Sequence, residues 1–434
     1  MMGGPEHEEK SRVITNVFGR RGLLAIFVLL LINTLNVLDR VLPFVLVDAI
    51  RTDLGLTDSE IGLMTGVGFG LIYAVAALPL ARVADRHSSR VVLSLTLAFW
   101  SLMTALSGFA QNFMHLLLAR GGVAAAEAGS APAGHALVAR AFPAERRALV
   151  LAIVSLGFPL GSMLGLMLGG WIADVANWRA AFFFVGAPGL LVALMAWFLL
   201  PEPGKVVLAG NAEPAPFWDT LKFLFSRRSY RHMAMAGSLY TIAGFGITVW
   251  SPAFLMRTYH MTAGEVGMQL GLATGIGGLI GLFASGWISD WLGGRDVRWR
   301  QWVPAIAMAL GAVSAFAAIS VPGVGLAILF LAFVQGLGYA YLAPTFAAVQ
   351  SLVTDDARAT ASAVLLFCMN LLGPTIGPFL VGSISDRMAP SVGELSLQYA
   401  LLVVPVLFAW AALHFALAGR ALPGDLPRAE PALA

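Results

Sequence analysis

The sequence predicts an all-α membrane protein of twelve transmembrane helices, built as two related six-helix halves. Three observations carry that expectation. Of 434 residues, 58% are apolar and only 12% charged, where a soluble domain carries roughly a quarter charged. Apolar stretches of roughly 20 residues, the length that crosses a bilayer, recur from Leu23 to Leu417 with short breaks between them. Segments of the first half also recur in the second, without gaps, at two fixed offsets.

In chain order, the spans are expected near 22–48, 58–84, 89–109, 113–140, 144–173, 178–200, 231–257, 263–291, 301–321, 324–353, 357–386 and 394–419. Residues 1–21 form a polar tail. The apolar stretch behind them is too long for a signal-peptide core, so it is expected to stay as the first span. Residues 22–200 then make the first bundle, 201–230 a linker, 231–419 the second bundle and 420–434 a closing tail. Within the linker, Phe217 to Phe225, with Trp218 and Lys222, suits a short helix lying at the membrane interface. Twelve spans put both termini on one side. That side holds 21 of the 27 Lys and Arg; the other holds four, Arg51, Arg179, Arg257 and Arg387, and two lie within spans. The excess of positive charge predicts cytoplasmic termini in a multi-pass protein of the cytoplasmic (inner) membrane. The single cysteine, Cys368, excludes an internal disulfide and a thiolate metal site.

The internal repeat orders the elements further. An offset of 205 superposes Thr57 on Thr262, Glu60 on Glu265, Gly62 on Gly267, Gly66 on Gly271, Gly70 on Gly275, Asp85 on Asp290 and Arg90 on Arg295. An offset of 212 superposes Gly161 on Gly373, Gly165 on Gly377, Gly170 on Gly382 and Asp174 on Asp386. The second and eighth spans are therefore counterparts, as are the fifth and eleventh. Parallel repeats about an axis along the membrane normal organise many secondary transporters. Thr57 and Thr262 each stand three residues before a Glu, the pattern of a capping box at a helix start. Glycines every four residues make a smooth stripe for close helix contact. Asp85, Arg86 and Arg90 in ARVADRHSSR, and Asp290 and Arg295 in GWISDWLGGR, suit a cytoplasmic gate that bridges helix ends and breaks on opening. Retention of these loops by positive charge alone is the blander alternative.

Ionisable residues deep within spans point to function, because each costs roughly 2.5–3.5 kcal/mol at a helix centre. The chain keeps four: Asp39 and Arg40 in the first span, Arg120 and Glu127 in the fourth. Residues seven apart return to nearly the same helix face, so Arg120 and Glu127 project the same way. Two ion pairs that only weld helices are the competing explanation. Against it, an apolar pair of similar volume would hold the helices as well. The expected roles are an anionic head group held by Arg120 or Arg40 and a proton carried by Asp39 or Glu127. Neutral cavity candidates in the second half are Tyr240, Thr241, Trp250, Gln335, Tyr339, Tyr341 and Asn370, with His135 a further candidate on the proton path. A charged wall facing an aromatic one suits a ligand with a head and a tail.

The Asp-Arg pair and following basic residues between the second and third spans, repeated between the eighth and ninth, resemble the loop signature of the major facilitator superfamily. Ala81 stands where the usual form has Gly; Gly286 holds that place in the second half. Within the superfamily the chain is similar to the Spinster family, in LNVLDR of the first span, LARGGVAAAEAGSAPAGH of the fourth, FPAERRALVLAIVSLGFPLG, GGWIADVANWRAAFFFVGAPGLL and GGRDVRWRQWVPA. The resemblance implies the major facilitator fold, two pseudo-symmetric bundles around a central cavity with the first and fourth spans as neighbours. It also implies alternating access, a monomer, and lipid-like cargo, because animal Spinster proteins move sphingosine-1-phosphate and lysophospholipids. Protons are the expected coupling ion, no cofactor is expected, and the expected partners are substrate and membrane lipids, not nucleic acid. A proton-coupled symporter for organic anions such as sugar acids is the alternative. An integral-membrane enzyme is disfavoured: the sequence has no HExxH, nucleophile elbow, phosphate-cradling loop or clustered His and Cys.

Overall fold

A computed structural model describes Val17 and residues 19–202, 217–354 and 357–426, without the side chains of Leu78, Asp85, Asp290 and Ala359. The remaining tail and linker residues of the sequence reading lie outside the described residues. Ten helical runs are long and apolar enough to cross a membrane among the described residues. One run, Thr360–Asp425, holds two helices parted by Gly393, whose φ of +59 only glycine adopts freely. The fourth span is two shorter helices, Phe113–Glu127 and Ser130–Ala141. Counted in this way, the described helices are consistent with twelve spans.

Local chemistry sets the helix starts. Thr57 accepts from the Glu60 amide while Glu60 accepts from the Thr57 amide, and Thr262 and Glu265 repeat the exchange at 2.9 and 3.2 Å. Asn112 caps the fourth span by accepting from His115 N at 2.9 Å. Two ends differ from expectation. The first span stops at Val45, after Pro43, and the chain continues as a separate helix, Val47–Leu54, closed by Gly55 at φ +65. The eleventh runs on to Val392, so Asp386 lies inside a helix. A helix forms over the expected linker segment, as Phe217–Ser226.

The chain packs as two compact units that cut across the sequence halves 22–200 and 231–419. One comprises the residues up to Arg40, Ile72–Gly161 and those from Arg179; the other comprises Val41–Leu71, Ser162–Trp178 and the second half. The second unit owes its composition to the repeated glycines. A Cβ on Gly62 would come within 2.6 Å of Pro378 O, and one on Gly267 within 2.3 Å of Leu166 O. The second span thus lies backbone to backbone on the eleventh, and the eighth on the fifth. At Gly62 the second span also passes through a π-helical turn, Leu63–Val67.

Candidate functional site

In the first unit, the first and fourth spans bring the four membrane-embedded charges together. Arg40 Nη2 donates to Glu127 Oε2 at 2.9 Å and Arg40 Nε to the same oxygen at 3.3 Å. Arg40 Nη2 also reaches Asn36 Oδ1 at 3.5 Å, and its guanidinium lies 5.1 Å from the centre of the Tyr73 ring. Asp39, Arg120 and Glu127 are 1%, 3% and 1% exposed, whereas the Arg40 side chain keeps 26% of its surface. Arg120 lies within electrostatic reach of both Asp39 and Glu127. The third span supplies a buried polar wall, Trp100, Ser101 and Thr104, with Trp100 and Thr104 beside Asp39.

Two carboxylate oxygens in this cluster, Asp39 Oδ1 and Glu127 Oε1, are buried and accept no hydrogen bond from the described residues. A buried charged oxygen without a donor is costly. A proton placed on such an oxygen displaces no existing bond and removes the charge. Arg40 holds Glu127 through one oxygen, leaving the other for that proton.

The neutral candidates divide. Tyr240 and Tyr341 pack with centroids 4.6 Å apart, Tyr240 lies 5.9 Å from Phe408 and Tyr341 6.5 Å from Phe415, an aromatic patch across the seventh, tenth and twelfth spans. Tyr339 lies beside Gln335, which lines a small cavity of about 30 Å³ with Thr248, Ser251 and Thr274. Asn370 and His135 are exposed. Thr241 and Trp250 are not cavity residues. Thr241 Oγ1 is spent on the Ser238 and Met369 carbonyls at 3.0 and 3.1 Å. The fully buried Trp250 donates to Pro378 O at 2.9 Å. Both tie the seventh span to the eleventh.

Of the expected cytoplasmic-gate residues, the three arginines have described side chains. Arg90 pairs with Glu202 at the end of the sixth span, and Arg295, in the turn after the eighth span, stacks 4.3 Å from the centre of the Trp291 ring. Arg86 is exposed, and the side chains of Asp85 and Asp290 lie outside the described residues. Among the described residues, the Arg90 bridge stays within its own half.

In the second unit, a charge network that sequence reasoning missed joins the helix ends away from the termini. Arg257 donates to Asp58 Oδ2 and Oδ1 at 2.8 and 2.9 Å, and to Asp48 Oδ1 at 2.7 and 2.9 Å. Arg51 Nε and Ser385 Oγ complete Asp58 at 3.3 and 2.8 Å. Asp386 accepts from the Asp58 and Ser59 amides at 3.0 and 2.7 Å, and from the Ser59 hydroxyl, so the eleventh span caps the second. Its repeat counterpart Asp174 accepts from Gly264 N at 2.8 Å, so the fifth caps the eighth. The available signal was the presence of Arg51 and Arg257 on the side almost free of positive charge, together with the Asp174–Asp386 match.

Comparisons agree with this architecture. Residues 29–378 match the family model of the Major Facilitator Superfamily. An MFS-type efflux pump of Mycolicibacterium smegmatis is 40% identical over 391 residues, 89% of each chain. The spinster homolog 3 protein of Danio rerio is 26% identical, over 98% of this chain and 90% of that one. The crystal structure of a bacterial homolog of the human lysosomal transporter Spinster, inward-facing and unoccupied, superposes with a TM-score of 0.84 at 26% identity, covering 95% and 99%. The chain is a multi-pass membrane transporter that belongs to the major facilitator superfamily, in its Spinster family.

Proposed function

We propose that this transporter couples proton movement to the passage of an amphipathic, anionic or zwitterionic lipid-like molecule, of lysophospholipid or sphingolipid type. The observation that carries the reading is the buried quartet, in which two carboxylates each keep an oxygen without a donor beside two arginines. Protonation of Glu127 removes the charge that holds Arg40. The freed guanidinium then offers its donors to a phosphate or carboxylate head group. Head group and proton bind together, and loss of the proton lets Glu127 recapture Arg40 and expel the head. That order makes the coupling co-transport, by alternating access, in an inner membrane with cytoplasmic termini. The resemblance to the Spinster family favours this cargo over a sugar acid.

The 40% identical efflux pump favours a second reading, exchange, in which an amphiphile leaving the cell competes with protons for Asp39 and Glu127. Purified protein in liposomes under an imposed pH gradient separates the two. Co-transport moves a fluorescent lysophospholipid with the protons; exchange moves it against them. In either case Glu127→Gln should lower gradient-driven flux at least tenfold, about 1.4 kcal/mol of coupling, and flatten its pH dependence. An unaltered pH profile in both Glu127→Gln and Asp39→Asn removes the quartet from the mechanism. Flux of a sugar acid without flux of the lysolipid would establish the organic-anion alternative.

A further inference from the structure

Within the second unit, the eighth, ninth and tenth spans line an open groove. It has a volume of about 770 Å³ and almost wholly apolar walls, among them Ile280, Ile288, Val303, Leu310 and Phe333. Its floor is the contact of the eighth and tenth spans, where a Cβ on Gly281 would stand 2.0 Å from Gly336 O. Because those small residues are already consumed by this helix pair, the floor is not a free stripe for another protein helix. What fits is flexible hydrocarbon.

The groove ends at Leu292 and Trp299, and charge begins there. Arg295 and Arg298 are exposed and Arg300 half-buried. Arg420 is exposed beside them, since its neighbour Gly419 packs on Trp302 and on the Arg298 carbonyl. The acids of the stretch are Asp290 and Asp296, so with Arg420 the cluster is positive. Asp296 binds the Arg298 amide at 2.9 Å and its side chain at only 4.0 Å, an exposed pair that leaves the guanidinium available. Tryptophans mark the depth. Trp287 and Trp291 are 71% and 54% exposed and stack 6.3 Å apart, with Arg295 over Trp291. Such an exposed ladder belongs at the junction of hydrocarbon and head groups. The arginines therefore sit at head-group level and the groove at acyl-chain depth.

We propose that this groove is a binding site for a bilayer phospholipid with an anionic head group, its acyl chain between the eighth, ninth and tenth spans and its phosphate on Arg295, Arg298 and Arg300. The site is independent of the transport cargo. Native mass spectrometry of the delipidated full chain, titrated with phosphatidylglycerol or phosphatidylcholine, tests it. Wild type should retain phosphatidylglycerol about tenfold more tightly than phosphatidylcholine, a preference that salt weakens. Arg298→Ala with Arg300→Ala should bring the two lipids level, and Ala284→Phe, which fills the groove, should weaken both. Should Ala284→Phe fail to elute as a monodisperse, cooperatively melting protein, the arginine variant decides alone. Equal binding of the two lipids by wild type, or a preference untouched by the arginine substitutions, overturns the site. So does a stable dimer in which the groove is covered by a second copy, seen as a doubled mass.

Discussion

The quartet in the first unit and the network around Asp58 in the second are made of the same residue types and differ in how completely they are satisfied. Asp58 has both oxygens engaged, by Arg51, Arg257 and Ser385, and its backbone amide held by Asp386. Asp39 and Glu127 each keep one buried oxygen that accepts nothing from the described residues. A saturated cluster resists change, because every movement breaks several charge-assisted bonds at once. An unsaturated one is poised to take up the missing partner. The difference suits the Asp58 network to holding helix ends together and the quartet to the binding role proposed for it.

The largest expected effect tests the saturated side. Arg257→Met should lower stability by about 3 kcal/mol, because it strands Asp48 and the buried Asp58 without their main cation. Thermal unfolding in detergent measures it, and an unchanged midpoint would show that the network holds nothing. A finer comparison lies between the two capping aspartates. Asp386 receives three hydrogen bonds and Asp174 one from helix starts related by the repeat. Asp386→Asn should cost about 1 kcal/mol and Asp174→Asn less; the reverse order would show that the outer ends are held mainly on the fifth and eighth spans. The smallest effect belongs to Arg90→Ala. Its pair with Glu202 leaves the two side chains 25% and 41% exposed, so removal should cost less than about 1 kcal/mol. A melting shift as large as that of Arg257→Met would move the important latch to the other end of the molecule.

Most of the fold was legible because hydrophobic runs, caps and glycine stripes are local signals. The offset that aligned Gly62 with Gly267 marked two places where backbone meets backbone. The meeting of the first-span and fourth-span charges was legible too, since charges inside a membrane have few choices of partner, but the sequence did not say that Arg40 takes Glu127. The Asp58 network was not legible. Its bonds join residues 199, 209 and 327 apart in sequence, and each member taken alone resembles an ordinary charge at a helix end. Trp250 failed for a related reason: a polar aromatic in a span gives the same sequence signal whether it faces a chamber or donates to a neighbouring carbonyl.

The fourth span departs from its regular α-helical ladder at Gly129, two residues after Glu127. Ala128 N still reaches Ala124 O at 3.2 Å, but Gly129 N turns tighter, to Ala126 O at 3.1 Å, before the second helix begins at Ser130. A carboxylate mounted at such a joint can swivel when the two rods on either side tilt by a few degrees, with no need to slide a whole helix past its neighbours. Under the proposed function, small angular play at one peptide junction would be geared to the making and breaking of a single contact with Arg40.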